Sequence, residues 1–302
     1  MALSVHTNYS SLVTQTNLSK TNKALSTSQQ NLGTGFRVNT ASDDAAGLQI
    51  ATRLNAQSRG MGIAMRNTSD ATSLLQTAEG AFSEITEILQ RMKDLATQSA
   101  NGTNSTEDRG SLQAEYDELG SEMANIIKNT TYAGERLFSN GTVVTGAAGA
   151  TAGKFGAAVD FQIGATTAEK LSLNVSASWA TLGGQLVALS TYYAGTATAG
   201  TADTKIATAA AANTIIDTIA TTLDSVSTLR AKFGATINRL DHTNNNLANM
   251  KDNTEMASGR IMDADFASES AAMSKNSMLL QSGISMLKQS NQMSSMVMSL
   301  IG

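Results

Sequence analysis

Few side chains in this chain are equipped for catalysis, and their spacing does not suit it. There are two histidines, His6 and His242, and no cysteine. Without cysteine there are no disulfides, thiolate zinc sites, iron–sulfur ligands or cysteine nucleophiles. A zinc enzyme, a histidine acid/base pair or a Ser-His-Asp triad would need His6 or His242, and neither sits in a catalytic motif. Gly149, Gly153 and Lys154 suggest a phosphate loop. The two glycines are one residue too close, however, and Phe155 stands where Ser or Thr must hold magnesium. Asp263, Asp265 and Glu269 suggest a calcium loop, but Ser268 occupies the sixth position, which needs Gly, and Ser274 the twelfth, which needs an acid. These acids read as surface or helix-capping groups, and Asp43 and Asp44 as the start of a helix, where negative charge complements the dipole. No metal, cofactor or catalytic residue is expected.

Composition narrows the choice further. The net charge is -4, and no basic block marks a nucleic-acid footprint or a polybasic membrane patch. The first residues lack a basic start and an apolar run, so no Sec signal is expected. No span approaches ~18 apolar residues either, so no membrane insertion is expected. If the protein leaves the cell, another route carries it. Seven Phe, five Tyr and one Trp in 302 residues make a large aromatic core improbable, so burial must come from Leu, Ile, Val, Met and Ala.

Long helices are what such residues build here. From Ile50 the positions Leu54, Gln57, Met61, Ala64, Thr68, Ala71, Leu75, Ala78, Phe82, Ile85, Leu89, Met92 and Ala96 step by four and three without a slip, a heptad seam. At ~1.5 Å per residue such a rod is roughly 70 Å long. Ser105 with Asp108 then gives a capping signal. Leu112, Tyr116, Leu119, Met123 and Ile126 repeat the step, predicting a second helix folded back on the first. A third seam runs through Ile216, Ile219, Leu223, Val226, Arg230, Phe233, Ile237, Leu240, Asn244 and Leu247, loosening towards Ile261. The absence of proline permits these lengths.

Between the helical parts, residues 141–205 are rich in Ala, Gly and Thr. They hold alternating runs at Val159–Ile163 and Leu171–Val175, which predict a small β-rich insert with loose turns. Its composition suits an exposed, dispensable appendage. The two ends differ again. Residues 1–33 hold nine large apolar side chains, worth on the order of 18 kcal/mol if fully buried, whereas ordering each backbone costs roughly 1–2 kcal/mol. Nine of the fourteen Met lie between Met250 and Met298, and Met suits irregular, shifting interfaces. Both ends therefore look built to fold against partners.

Four blocks carry a resemblance. They are Leu32–Asn39 followed by Ala41–Gly47, then Leu89–Asn101, Arg260–Ala267 and Met286–Gln292. In order and in both halves they resemble the signature segments of bacterial flagellins, over roughly residues 1–140 and 206–302. The resemblance implies a mainly α fold in which long coiled-coil helices from both termini pack together around a small β-rich insert. It divides the chain into an inner coiled-coil domain (residues 1–44 and 259–302), a helical rod domain (45–140 and 206–258) and a variable surface insert (141–205). It further implies a subunit that performs no chemistry and polymerises with copies of itself into an extracellular filament, with polymerisation seams at Leu18, Leu25, Leu32, Leu280 and Leu287. The partners it implies are the flagellar type III export apparatus and its chaperone, the cap and the hook-junction proteins. A host Toll-like receptor would read Arg91, Leu95 and Glu115. The short insert suggests a thin filament, as of a lateral flagellum, and Ser294 replaces a proline common in the family's final helix.

Two alternatives bear on the same features. A hook–filament junction protein would share related ends. A chemoreceptor-like signalling coiled coil would share the heptads, but needs a membrane span or a symmetric hairpin tip, and neither is visible. A zinc-protease insert is rejected because no His lies between His6 and His242.

Overall fold

The computed structural model describes residues 8–139, 153–194 and 203–301. The elements, in chain order, are helices α1 (Tyr9–Thr34), α2 (Ala45–Ser99) and α3 (Thr106–Asn129), strands β1 (Thr131–Tyr132), β2 (Glu135–Arg136), β3 (Val159–Gln162) and β4 (Lys170–Leu173), and helices α4 (Ser176–Leu189), α5 (Thr191–Ala194), α6 (Ala209–Met262) and α7 (Phe266–Ile301). The described residues fall into two compact units, Gly60–Met250 and the two ends up to Arg59 and from Lys251. The breaks between these units fall within α2 and α6, and residues 153–194 fall in the first unit.

Within Gly60–Met250 the α2 seam is buried as its spacing demands, from Met61 through Phe82 to Ala96. Thr68 joins it because its hydroxyl donates to the Ala64 carbonyl at 2.8 Å, which satisfies its own polar group. Ser105 caps α3 by a full capping box with Asp108: the Ser105 hydroxyl accepts from the Asp108 N–H, while the Asp108 carboxylate accepts from the Ser105 N–H. That reciprocal bonding lowers the Asp108 carboxyl below its ordinary value.

The α6 seam lies one residue away from half of its expected positions. Ile219, Val226, Phe233, Leu240 and Leu247 are buried, but they alternate with Ile215, Thr222, Leu229 and Thr236 rather than with Ile216, Leu223, Arg230 and Ile237, which are only half-buried. The misleading residues are the threonines. Thr222 and Thr236 read as polar, yet each hydroxyl donates to the carbonyl four residues back, at 2.7 and 2.8 Å, and presents its methyl to the core.

The insert holds both strand and helix. The expected alternation does form an antiparallel hairpin, with Val159 opposite Leu173 and Phe161 opposite Leu171, all four side chains buried on one face. Among its other described residues, α4 and α5 are helical. In α4, Trp179, Leu182, Leu186 and Leu189 recur at three- and four-residue steps and are buried. These residues belong to the same apolar core as Leu75, Phe82, Tyr116, Val226 and Phe233, so residues 153–194 are a structural part of this unit, not an appendage on it. Five of the few aromatic rings meet there. Phe138 lies 4.9 Å from Phe82 and 5.2 Å from Trp179, and Phe155 lies 5.1 Å from Phe233, in edge and tilted arrangements that suit aromatic quadrupoles.

In the other unit, α1 and α7 form an antiparallel pair. Asn8, which caps α1, donates to the Ser290 carbonyl, Leu18 meets Gly283, and Gly35 accepts from the Ala264 N–H at 2.9 Å. A Cβ at Gly283 would lie 2.8 Å from Leu18 Cδ1, so a larger residue there requires the end of the Leu18 side chain to shift. Gly35 ends α1 in the left-handed conformation at φ 77°, with its N–H bonded to the Asn31 carbonyl. The chain then runs beside the α6–α7 turn, Phe36 bridging Asp263 and the Arg37 guanidinium donating to the Ile261 carbonyl.

Candidate functional site

The acidic residues singled out by sequence serve backbone geometry. Asp44 accepts from the Gly47 N–H at the start of α2, and Asp265 from the Ala267 and Ser268 N–H groups at the start of α7. Asp43 gathers the N–H groups of Asn39 and Thr40 and the Thr40 hydroxyl, which hold its carboxyl below the ordinary value. Lys154 ion-pairs with Glu135 at 2.7 Å, while Gly149 and His6 lie outside the described residues. His242 is exposed on α6. Among the described residues no cluster of three or more His, Cys, Asp and Glu side chains is placed to hold a metal.

A groove of about 670 Å³ lies between the first turns of α2 and the end of α6, lined by Phe36, Ala51, Ser58, Glu255 and Met262. Within it Glu255 accepts from the Ser58 hydroxyl at 2.7 Å and pairs with Lys251 at 3.0 Å. Both contacts lower the Glu255 carboxyl. This arrangement ties helix to helix.

Arg91 and Glu115 meet as expected from a helix that folds back. Arg91 Nε and Nη2 both donate to Glu115 Oε1, at 2.9 and 2.6 Å, on an exposed face. Leu95 does not join them at the surface. It is 1% exposed and packs in the core, because α2 turns its seam and the flanking position inward there. Arg91 and Glu115 thus share the exposed face without Leu95.

The paired ends are the distinctive surface. Leu18, Leu25 and Leu32 of α1, and Leu280 and Leu287 of α7, are all half-buried. On their other faces the same helices leave large apolar side chains uncovered: Tyr9, Leu12 and Val13 on α1, and Phe266, Met278, Leu279, Ile284 and Met286 on α7, with Met278 65% and Met286 62% exposed. Eleven of the thirteen large apolar side chains exposed among the described residues belong to this unit, and only Ile63 and Met250 to the other. Isolated surface leucines need no explanation, but a helix pair apolar on several faces does. Sequence reading named the seam leucines and not the outward Met278, Ile284 and Met286, whose only signal is the Met-heavy composition of α7.

Buried heptad seams beside a helix pair with uncovered apolar faces define a helical protein built to associate. The comparisons say which. The bacterial flagellin N-terminal helical region matches residues 5–142, and the bacterial flagellin C-terminal helical region matches residues 216–301. Flagellin A of Vibrio anguillarum is 34% identical, and Polar flagellin C of Vibrio parahaemolyticus serotype O3:K6 32% identical, each over the whole of both chains. The first alignment runs over 392 positions against the 302 residues here, so this chain lacks segments that the relative has. A putative flagellar hook-associated protein from Vibrio parahaemolyticus superposes with a TM-score of 0.56 over 73% of this chain and all of its own, at 17% identity, which is a likeness of fold. The chain belongs to the bacterial flagellin family, and is a structural subunit that polymerises into the extracellular flagellar filament. Among the described residues no helix is long and apolar enough to cross a membrane.

Proposed function

We propose that α1 and α7 are the polymerisation elements, and that the leucines Leu18, Leu25, Leu32, Leu280 and Leu287 hold the pair together while its outward faces meet neighbouring subunits. The observation that carries this reading is the concentration of exposed apolar side chains on the end unit. The subunit acts mechanically, without chemistry of its own. Its partners are other copies, together with the flagellar export apparatus, its chaperone, the cap and the hook-junction proteins. Removing residues 1–33 or 270–302 is expected to leave a soluble, still helical monomer that does not polymerise on seeds. Filaments from either truncation, seen by electron microscopy, would refute the reading.

Recognition by a host Toll-like receptor, if it operates on this chain, rests on the exposed Arg91 and Glu115, with Leu95 acting only through the fold. In depolymerised protein Arg91→Ala is expected to weaken receptor activation on the order of tenfold, about 1.4 kcal/mol, and to leave the melting temperature unchanged, since an exposed pair contributes little to stability. Leu95→Ala is expected to lower stability by roughly 2–5 kcal/mol. An unchanged dose curve for Arg91→Ala in a receptor-reporter assay would end the receptor reading and leave the filament assignment intact.

A further inference from the structure

The turn that joins α2 to α3 holds two asparagines, Asn101 before Gly102 and Asn104 before Ser105. The two are held differently. Asn104 Nδ2 donates to the Gln98 carbonyl at 2.7 Å, and the Ser105 N–H is taken by Asp108 Oδ2 at 3.0 Å within the capping box. Asn101, Gly102 and Thr103 are exposed, and among the described residues no acceptor takes the Gly102 N–H. A Cβ built on Gly102 would meet nothing within 4 Å, so the turn does not crowd this peptide.

Two polar contacts prepare the Asn101 side chain and the Gly102 peptide to react with each other. Asn101 Oδ1 accepts from the Thr103 N–H at 3.2 Å, an Asx turn that folds the carboxamide back along the Gly102 peptide. The same N–H stabilises the negative charge that develops on Oδ1 when the carboxamide carbon is attacked. The Asn101 carbonyl accepts from Arg109 Nη2 at 3.0 Å, while Arg109 Nε anchors on the Ser99 carbonyl at the end of α2. That Asn101 carbonyl and the Gly102 N–H belong to one amide, whose resonance couples oxygen to nitrogen. A guanidinium on the oxygen therefore eases loss of the proton from the nitrogen.

We propose that Asn101 is a site of spontaneous deamidation in the folded chain, with the Gly102 nitrogen as nucleophile and water as the only co-reactant. The Gly102 N–H gives its proton to solvent, and the nitrogen forms a bond to Asn101 Cγ. The Cγ–Nδ2 bond breaks, and Nδ2 leaves as ammonia with a proton taken from solvent, which closes a succinimide ring. Water then adds to either imide carbonyl. In both cases the bond that breaks is to the Gly102 nitrogen. Opening at Cγ restores the main chain and leaves aspartate at position 101. Opening at the main-chain carbonyl leaves isoaspartate, in which the backbone runs through the side chain and is longer by a methylene. Either product puts a new negative charge beside the first turn of α3, which already carries Glu107 and Asp108, and isoaspartate also moves the carbonyl that Arg109 holds. Conversion accumulates with time since the chain folded. Asn104 is spared, because the proton its attacker must lose is held by the Asp108 carboxylate.

The test ages the full-length monomer in mildly alkaline buffer and follows the tryptic peptide of residues 94–109, which contains both asparagines, by mass spectrometry with fragmentation that separates aspartate from isoaspartate. Both products are expected at position 101, isoaspartate in excess, while Asn104 stays an amide. Gly102→Ala fits the open space at a backbone conformation outside the left-handed region. It is expected to slow conversion on the order of tenfold, because a Cβ restricts the rotation that brings the nitrogen to Cγ. The same chain unfolded in urea serves as the clock. Asn101 intact in the folded protein over the time in which the unfolded chain converts would overturn the proposal, as would equal conversion of Asn104 or an unchanged rate in Gly102→Ala. If Gly102→Ala fails to fold, the two asparagines of the wild-type peptide decide alone: selective conversion of Asn101 upholds the proposal, and any other pattern refutes it.

Discussion

Replacing residues 153–194 with a short Gly/Ser linker is expected to abolish cooperative folding of the Gly60–Met250 unit and, with it, filament formation. Phe155, Trp179, Leu182, Leu186 and Leu189 are buried in the core shared by α2, α3 and α6, and two of the five rings of the aromatic cluster come from this stretch. Losing a buried Leu costs roughly 2–5 kcal/mol and a buried Phe or Trp roughly 3–5, against a total domain stability of about 5–15 kcal/mol. Three such losses are enough. Trp179→Ala alone is expected to lower stability by ~3–5 kcal/mol, measurable by chemical denaturation followed by circular dichroism. A linker variant that melts like the wild type would show that this insert is an appendage after all.

The second large effect is at the other end of the chain. Leu287 is half-buried on α7, whose pairing with α1 includes polar ties from Asn8 to Ser290 and from Ser11 to Asn291. Leu287→Asp puts an unpaired carboxylate into that seam. Desolvating it costs several kcal/mol, and every subunit of a filament repeats the penalty. Polymer yield after seeding, measured by sedimentation, is expected to fall to background while the melting temperature of the monomer stays near wild type. Normal yield would mean that Leu287 does not hold an assembling seam.

Much of this architecture was legible because period and burial agree. The α2 seam reads correctly from Met61 to Ala96 because nearly every position is apolar or Ala, and the single Thr68 satisfies its own hydroxyl. The same device misled the reading of α6, where Thr222 and Thr236 occupy core positions and Ile216, Leu223 and Ile237 flank them. Trp179, Leu182, Leu186 and Leu189 carry a helical period, but the surrounding Gly, Ser and Thr without charges resemble strand and turn chemistry more than helix. Leu95 was misplaced for a different reason. Period assigns a residue to a helix face but does not say how wide the buried stripe is, and here the core spreads past the seam to the adjacent position. The outward faces of α1 and α7 had only a compositional signal, since a side chain destined for a neighbouring copy looks like one destined for the core.

The central claim is that the paired ends gain their missing partners only on polymerisation. Amide hydrogen exchange, compared residue by residue between monomer and filament, tests it most directly. Two paired helices with uncovered apolar faces open readily on their own, whereas the Gly60–Met250 core does not. The account predicts that α1 and α7 amides exchange fast in the monomer and gain protection of at least a hundredfold in the filament, while the α2 and α6 amides of the core are protected in both. Filaments in which α1 and α7 exchange as fast as in the monomer would contradict it.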